Sequence, residues 1–276
     1  MDTMTGYTVA TFVLALAGTG VVAGILAGLL GVGGGIVIVP VLFYVFMLLE
    51  IDPAVRMHLA VGTSRAVIVP TSLRSARAHY MRDTVDGELL RSLLPGLVVG
   101  VFAGILLSAV VSGAVLTAVF GSVAMLVALN MARAGAIPKL AAHRPGAVAA
   151  HGIGGFVGMV STLMGIGGGT LSVPLLDALR YPIHRSVGTA AAIGTVISIP
   201  GALGFIWSGW GNPDLPPFSL GYVSLLGFAL IAPLAVLCAP WGVRLGHSLD
   251  TRKLKLAFAA FLMVTAINML YTALSA

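Results

Sequence analysis

Charged residues are scarce in this chain, and acidic residues are scarcer than basic ones. Only 9% of its 276 residues are charged, with nine Asp and Glu in total, whereas 58% are hydrophobic. The mean hydropathy of +1.06 is far above what a water-soluble surface tolerates. The composition therefore places the chain in a lipid bilayer.

The chain also lacks the residues of a redox or metal site. Its single cysteine, Cys238, has no partner, which excludes a disulfide and a cysteine-based metal site within one chain. The six histidines show no i, i+4 pairs and no nearby carboxylate cluster, so we expect no metal and no cofactor. The basic residues stand in small groups between apolar segments, a pattern typical of membrane topology and not of a nucleic-acid surface.

Hydropathy predicts an all-α polytopic membrane protein. The second and seventh apolar segments are too short to span a bilayer comfortably, since a crossing needs roughly 20 residues. The gaps leave no room for a soluble catalytic domain, so we expect no enzyme, and the run from Val9 to Leu30 is too long for a signal-peptide core. The ten predicted segments are 7–30, 35–50, 59–80, 89–110, 113–132, 146–165, 169–180, 187–208, 219–240 and 254–274.

Two blocks of sequence occur twice, in the same order. The block Gly31-Val-Gly-Gly-Gly35, followed by Pro40, recurs as Gly165-Ile-Gly-Gly-Gly169, followed by Pro174. The block His58-Leu-Ala-Val-Gly-Thr63 recurs as His184-Arg-Ser-Val-Gly-Thr189. Two repeats, 1–140 and 141–276, with about five segments each, are therefore predicted. Because five is odd, the repeats would enter the membrane in opposite directions, as in many secondary transporters.

The basic residues fall almost entirely on one side of this ten-crossing arrangement. Only Arg56 and Arg65 lie on the other side. The positive-inside rule then makes the basic side cytoplasmic and places both termini outside. The residues on the basic side are Arg74, Arg77, Arg82, Arg91, Arg133, Lys139, Arg144, Arg180, Arg185, Arg244, Arg252, Lys253 and Lys255.

The paired triple glycines predict breaks in helical geometry. Each glycine costs roughly 1 kcal/mol relative to alanine inside a helix, and a short apolar run follows each triplet. The N–H groups at the start of such a run form a site for an anion, which glycine lets approach closely. The candidate ligand-binding glycines are Gly33, Gly34, Gly35, Gly167, Gly168 and Gly169.

Two other interpretations of the glycines remain. Tight helix packing is one, and it suits the glycines spaced by four at Gly20, Gly24 and Gly28 and at Gly96, Gly100 and Gly104. These ladders would serve a homodimer as well as the interior of a monomer. A nucleotide-binding loop is disfavoured because no Lys-Ser/Thr follows the glycines.

The second repeated block adds hydroxyls and a charge. Thr63, Ser64 and Thr189 can donate hydrogen bonds to an oxyanion, and Arg65 can supply its counter-charge if it faces the cavity. Alternatively, the hydroxyls bond their own backbone and Arg65 extends outward to the interface.

Three titratable residues are candidates for gating or proton coupling. His58 and His184 occupy equivalent repeat positions, where they either cap helix starts at the interface or sense protons at two gates. Asp177 is the one acidic residue that does not lie at the end of a predicted segment, and near Arg180 it is either half of an interfacial ion pair or a proton carrier. So few acids in the membrane favour an anionic substrate over a cation.

The sequence resembles the TauE/SafE family of sulfite and organosulfonate exporters. The resemblance rests on both glycine blocks, both His-x-x-x-Gly-Thr blocks and the Val-Pro-Thr-Ser run at Val69–Ser72, and it covers nearly the whole chain. It implies a multi-pass permease of the bacterial inner membrane that exports a small sulfur-containing anion. The second repeat has Ala190 and Ala191 where the first has Ser64 and Arg65, so only one half supplies the cation.

The leading hypothesis is export of sulfite or an organosulfonate by alternating access. One rival is a permease or channel for another small anion. Others are a membrane enzyme or thiol carrier that uses Cys238, and a cation or amino-acid permease, which the scarcity of intramembrane acids disfavours.

Overall fold

The computed structural model describes residues 3–30, 33–132, 145–179, 181–245 and 251–275. This part of the chain contains ten helices and one short hairpin, at the positions of the predicted segments to within a few residues. The fold is all-α, as the hydropathy predicted. The helices are α1 (Thr3–Leu30), α2 (Gly35–Leu48), α3 (Pro53–Tyr80), α4 (Gly87–Val110), α5 (Gly113–Ala132), α6 (Ala147–Met164), α7 (Gly169–Ala178), α8 (Ile183–Ser208), α9 (Leu225–Leu245) and α10 (Thr251–Ser275).

The prediction was wrong at the start of the ninth segment, which begins with a hairpin. Strands β1 (Ser219–Leu220) and β2 (Val223–Ser224) pair antiparallel, and α9 begins only at Leu225. Gly221 adopts a left-handed φ of 53°, which suits a tight turn. Ser224 then accepts a hydrogen bond from the amide of Gly227 on its hydroxyl, at 3.2 Å, and so caps α9.

Five of the described helices are long and apolar enough to cross a membrane by length and composition. The outer surface is apolar: Leu14, Val110 and Val148 are at least 71% exposed. A set of hydroxyl-bearing residues and Arg65 is buried among the apolar core residues, as a polar site within a membrane protein requires. The five candidate spans are Gly87–Val110, Gly113–Ala132, Ala147–Met164, His184–Ser208 and Leu225–Gly242.

The predicted glycine ladders lie between two parallel helix pairs. A methyl group at Gly20 of α1 would lie 2.7 Å from the carbonyl oxygen of Ile231, and one at Gly24 would overlap the backbone of Ala235, both on α9. Gly96 and Gly100 of α4 approach α6 in the same way. Each pair joins a helix from the first half of the chain to a helix from the second half, so these glycines serve packing within the chain.

Helices α3 and α8 pack against each other in opposite directions. A methyl group at Gly62 would lie 3.2 Å from Cβ of Phe205, whereas Ser72, further along α3, contacts Gly194 and Ser198, which come earlier in α8. These two helices carry the repeated His-x-x-x-Gly-Thr block. Their interface holds most of the buried polar residues described below.

Candidate functional site

The two glycine breaks meet in the centre of the protein. A methyl group at Gly33 would lie 3.2 Å from Cα of Gly167, and one at Gly35 would lie 2.5 Å from the carbonyl oxygen of Gly165. Gly33 and Gly167 differ by the same 134 residues that relate Gly31 to Gly165 in the sequence repeat. Equivalent points of the two repeats therefore touch. All six candidate glycines are buried.

A short helix starts directly after each break, as the sequence predicted. Helix α2 begins at Gly35 after Gly33 and Gly34, whose φ angles of 73° and 75° are left-handed. Helix α7 begins at Gly169, and the Gly168 carbonyl accepts the amide of Ser172 at 2.9 Å. The first N–H groups of a helix have no partner within it, so both helix starts direct amide donors towards the central region.

Arg65 is fully buried in the middle of α3. Its guanidinium donates from Nε to the Thr162 carbonyl at 3.3 Å, from Nη2 to the Ser161 carbonyl, and from Nη1 to the Ile197 carbonyl at 3.5 Å. Ser161 and Thr162 belong to the last turn of α6, the negative end of that helix. No described carboxylate pairs with Arg65. Arg65 thus points inward, and the alternative of an outward-extending side chain does not hold.

Two N–H bonds of this guanidinium have no acceptor among the described residues. A guanidinium carries five N–H donors, and the three carbonyl contacts use one at each nitrogen. The remaining donors lie on Nη1 and Nη2, the fork that binds oxyanions with two parallel hydrogen bonds. Ser64, the neighbouring candidate, donates to the Gly165 carbonyl at 2.7 Å.

Thr63 and Thr189 form matching contacts between the repeats. Thr63 accepts the backbone amide of Ser224, which precedes α9, at 2.8 Å. Thr189 accepts the backbone amide of Asp86, which precedes α4, at 2.9 Å. The glycine before each threonine lets a turn of the other repeat approach, Tyr222 at Gly62 and Thr84 at Gly188. We call these contacts the two Gly-Thr clips.

The clips change the interpretation of the repeated Gly-Thr pairs. Each threonine oxygen is already engaged by a buried amide, so its first role is to hold a helix start in the other half of the chain. Only the hydroxyl proton of each threonine is left for another acceptor. The sequence could not show this because it does not reveal which turn packs against which glycine.

Replacing Thr63 or Thr189 by valine should destabilise the protein by about 1–3 kcal/mol, because each change leaves a buried backbone amide without an acceptor. Thermal unfolding of the purified protein in detergent measures the effect. Thr117→Val is the matched control, since the Thr117 hydroxyl donates only to the Gly113 carbonyl of its own helix. Unfolding temperatures equal to that of the control would contradict the clips.

The three titratable candidates are in different surroundings. His58 is buried, with Nε2 3.1 Å from the Ser108 carbonyl and its ring stacked on Tyr222 at 4.9 Å between centroids. His184, its repeat equivalent, is exposed at the start of α8. Asp177 is in α7, but its side chain lies outside the described residues. His58 thus contacts Tyr222, a residue of the Gly62–Thr63 clip.

A cluster of three hydroxyls was missed by the sequence analysis. The Ser72 and Ser198 oxygens are 3.4 Å apart, and Thr195 Oγ1 is 3.2 Å from that of Ser72. Ser72 and Ser198 differ by 126 residues, the spacing between His58 and His184. The repeat thus carried a signal for this pair. In the described part of the chain no group of acidic, His or Cys side chains could hold a metal ion.

Comparison with known proteins finds relatives that are named as probable membrane transporters. The chain is 34% identical over 259 residues to a probable membrane transporter protein of Haemophilus influenzae, covering 94% of this chain and 98% of that protein. It is 27% identical over 252 residues to one of Methanocaldococcus jannaschii, covering 91% and 92%. It is 26% identical over 271 residues to one of Bacillus subtilis, covering 91% and 95%. No solved structure gives a significant match.

The apolar exterior, the buried polar centre and these relatives define a multi-pass membrane transporter. The model of the sulfite exporter TauE/SafE family matches residues 16–269, which is nearly the whole chain. The chain belongs to this family.

Proposed function

We propose that the protein is a secondary transporter that exports a small sulfur-containing oxyanion, such as sulfite or an organosulfonate, across the bacterial inner membrane. The observation that carries the proposal is Arg65, a fully buried cation with no described carboxylate partner and two N–H donors to spare. The family supplies the substrate class.

A buried guanidinium needs a counter-charge. Moving such an ion out of water costs several kcal/mol even after relaxation, and neutral carbonyls offset only part of this. An anion bound to the free Nη1 and Nη2 donors would offset much more. The glycine breaks and the first amides of α2 and α7 lie in the same central region and add neutral donors without adding charge.

Two inverted repeats, residues 1–140 and 141–276, would make the site accessible from each side in turn. Several contacts support this arrangement: Gly33 meets its equivalent Gly167, Ser72 meets its equivalent Ser198, and α3 runs opposite to α8. Rocking of the halves around the fixed centre is the movement such repeats perform. The buried centre corresponds to an occluded stage of that cycle. Both termini would face the periplasm, with the basic loops in the cytoplasm.

Purified protein in proteoliposomes should take up labelled sulfite saturably, and unlabelled sulfoacetate or thiosulfate should compete. Sulfite trapped inside the vesicles should accelerate the uptake, because a carrier returns faster when loaded, whereas a channel gains nothing from exchange. Vesicles without protein are the control. Absence of uptake for all three anions, under either direction of a pH gradient, would overturn the substrate class. Uptake that trapped sulfite does not accelerate would favour the channel.

A further inference from the structure

We propose that Ser72, Thr195 and Ser198, which we call the hydroxyl cluster, recognise the oxygens of the transported anion in a gap beside Gly194. The chain would thereby select an anion with several oxygens over a spherical ion such as chloride. This inference rests on the proposed function and adds residues that determine specificity.

The hydroxyl cluster lies where the two repeats meet. Ser72 and Ser198 are equivalent positions, and their oxygens are 3.4 Å apart. Equivalent residues of two inverted repeats can be neighbours only on the axis that relates the repeats, and transporters of this construction bind their substrate at the repeat interface. Both serines are 1% exposed.

The hydroxyl protons of the cluster are weakly held. Ser72 Oγ lies 3.2 Å from the Val69 carbonyl, and Ser198 Oγ lies 3.4 Å from that of Thr195. Thr195 Oγ1 lies 3.2 Å from Ser72 Oγ and 3.4 Å from the Ala191 carbonyl. Good O–H···O bonds are about 2.7–2.8 Å long. An anion is a stronger acceptor than any of these groups and would draw the protons towards itself.

Gly194 leaves room for a ligand atom next to the cluster. A methyl group at this position would lie 3.6 Å from Cβ of Ser72 and 3.6 Å from the amide nitrogen of Gly168, both ordinary van der Waals contacts. At Gly96 and Gly62, by contrast, a methyl group would overlap a backbone carbonyl. The space beside Gly194, between Ser72 and the residue that precedes α7, therefore accepts an atom of the size of a methyl group.

Buried hydroxyls without partners stand on both sides of this centre. Thr170 belongs to the first turn of α7, is 4% exposed, and its Oγ1 has no hydrogen-bond partner among the described residues. Oγ of Ser161 is also buried and has no hydrogen-bond partner among the described residues. The carbonyl of Ser161 accepts from Arg65. A buried hydroxyl left unpaired costs free energy, and an anion bound beside Thr170 and Ser161 would offset that cost.

The hydroxyl cluster and Arg65 share the α3–α8 interface. Arg65 and Ser72 are seven residues apart on α3, which puts them on one face about 10 Å apart. On α8, Ile197 accepts from Arg65 and the next residue, Ser198, meets Ser72. Hydroxyl, amide and guanidinium donors thus approach from different directions. An anion with several oxygens can accept from all of them, whereas chloride gains little from their directions.

The experiment compares the wild type with Ser72→Ala plus Ser198→Ala, and separately with Gly194→Ala, in proteoliposomes. The double variant should raise the KM for sulfite by about tenfold or more, the equivalent of one lost hydrogen bond, and leave inhibition by chloride unchanged. Gly194→Ala should abolish sulfite uptake at an unfolding temperature equal to or above that of the wild type, since alanine favours the helix and meets no clash. Thermal stabilisation by added sulfite should disappear in this variant.

The controls are Ser108→Ala, which removes another buried serine hydroxyl that bonds its own helix at 2.8 Å, and Gly152→Ala, a helix glycine with open space around it. Wild-type KM in the double variant, or full uptake by Gly194→Ala, would overturn the inference while the proposed function stands. A wild type that moves no sulfur oxyanion would instead overturn the proposed function, and the inference with it. If the double variant does not fold, Gly194→Ala alone decides.

Discussion

Sulfite uptake should fall to the background of empty vesicles when Arg65 is replaced by methionine. The proposed counter-charge is then lost, and the anion would enter an apolar centre without compensation, at a cost of several kcal/mol or more than a hundredfold in affinity. Methionine has a similar length, and no described carboxylate is left without its partner, so the protein should remain folded. Uptake and thermal unfolding should be measured on the same preparation.

Arg65→Lys separates charge from geometry. Lysine keeps the positive charge but cannot reach the Ser161, Thr162 and Ile197 carbonyls in one plane while also offering two parallel donors. We expect the rate of sulfite uptake by Arg65→Lys to lie between the rates of Arg65→Met and the wild type. Arg74→Met is the matched control, because Arg74 is an exposed residue of the same helix. Undiminished uptake by Arg65→Met would show that this cation is not part of the site.

Gly62→Ala and Gly188→Ala should both fail to give stably folded protein. A methyl group at Gly62 would overlap the Tyr222 carbonyl, and one at Gly188 would lie 2.5 Å from the Thr84 carbonyl. Both obstacles are backbone, so no side chain can move aside. Overpacking of this kind costs about 1–3 kcal/mol and occasionally more, and we expect the upper end or beyond.

Detergent-solubilised yield, gel-filtration profile and unfolding temperature would measure this loss. Gly152→Ala is again the control and should be as stable as the wild type or more so. If the Gly-Thr pairs were mainly substrate ligands, the alanine variants would instead fold normally and lose only transport. That result would remove the basis for the two Gly-Thr clips.

The positions of the helices could be predicted because each is a local property of the chain. The apolar runs and the triple glycines mark most of their starts and ends, although α3 begins at Pro53, before the predicted segment 59–80, because its capping residue Asp52 was not recognised. The sequence repeat could also be read directly, because two blocks of residue types recur in the same order. The start of α9 could not be predicted, because the preceding hairpin has only four paired residues. Its apolar pattern is too short to be distinguished from that of the helix that follows.

The chemistry of the centre depends on contacts between distant residues, which one sequence does not specify. Thr63 looked like a ligand for the substrate, yet its oxygen accepts the amide of Ser224, which is 161 positions away. Arg65 was singled out by its charge and the structure shows it buried, but nothing local in the sequence indicated that the end of α6 accepts its donors. Ser72 was noted only as the end of the Val-Pro-Thr-Ser run, and the pair it forms with Ser198 was not predicted, because serine is common in membrane helices and often bonds its own backbone.

The pairing of α1 with α9 has a consequence for biogenesis. The glycine face of α1 packs closely on a helix that begins only at Leu225, and the corresponding face of α4 packs on α6. During synthesis the first helix must therefore stay in the bilayer without its packing partner until most of the chain has been translated. A truncated first half would leave these glycine-lined faces open to foreign helices. The two halves made as separate chains should accordingly assemble only when they are produced in the same cell at the same time.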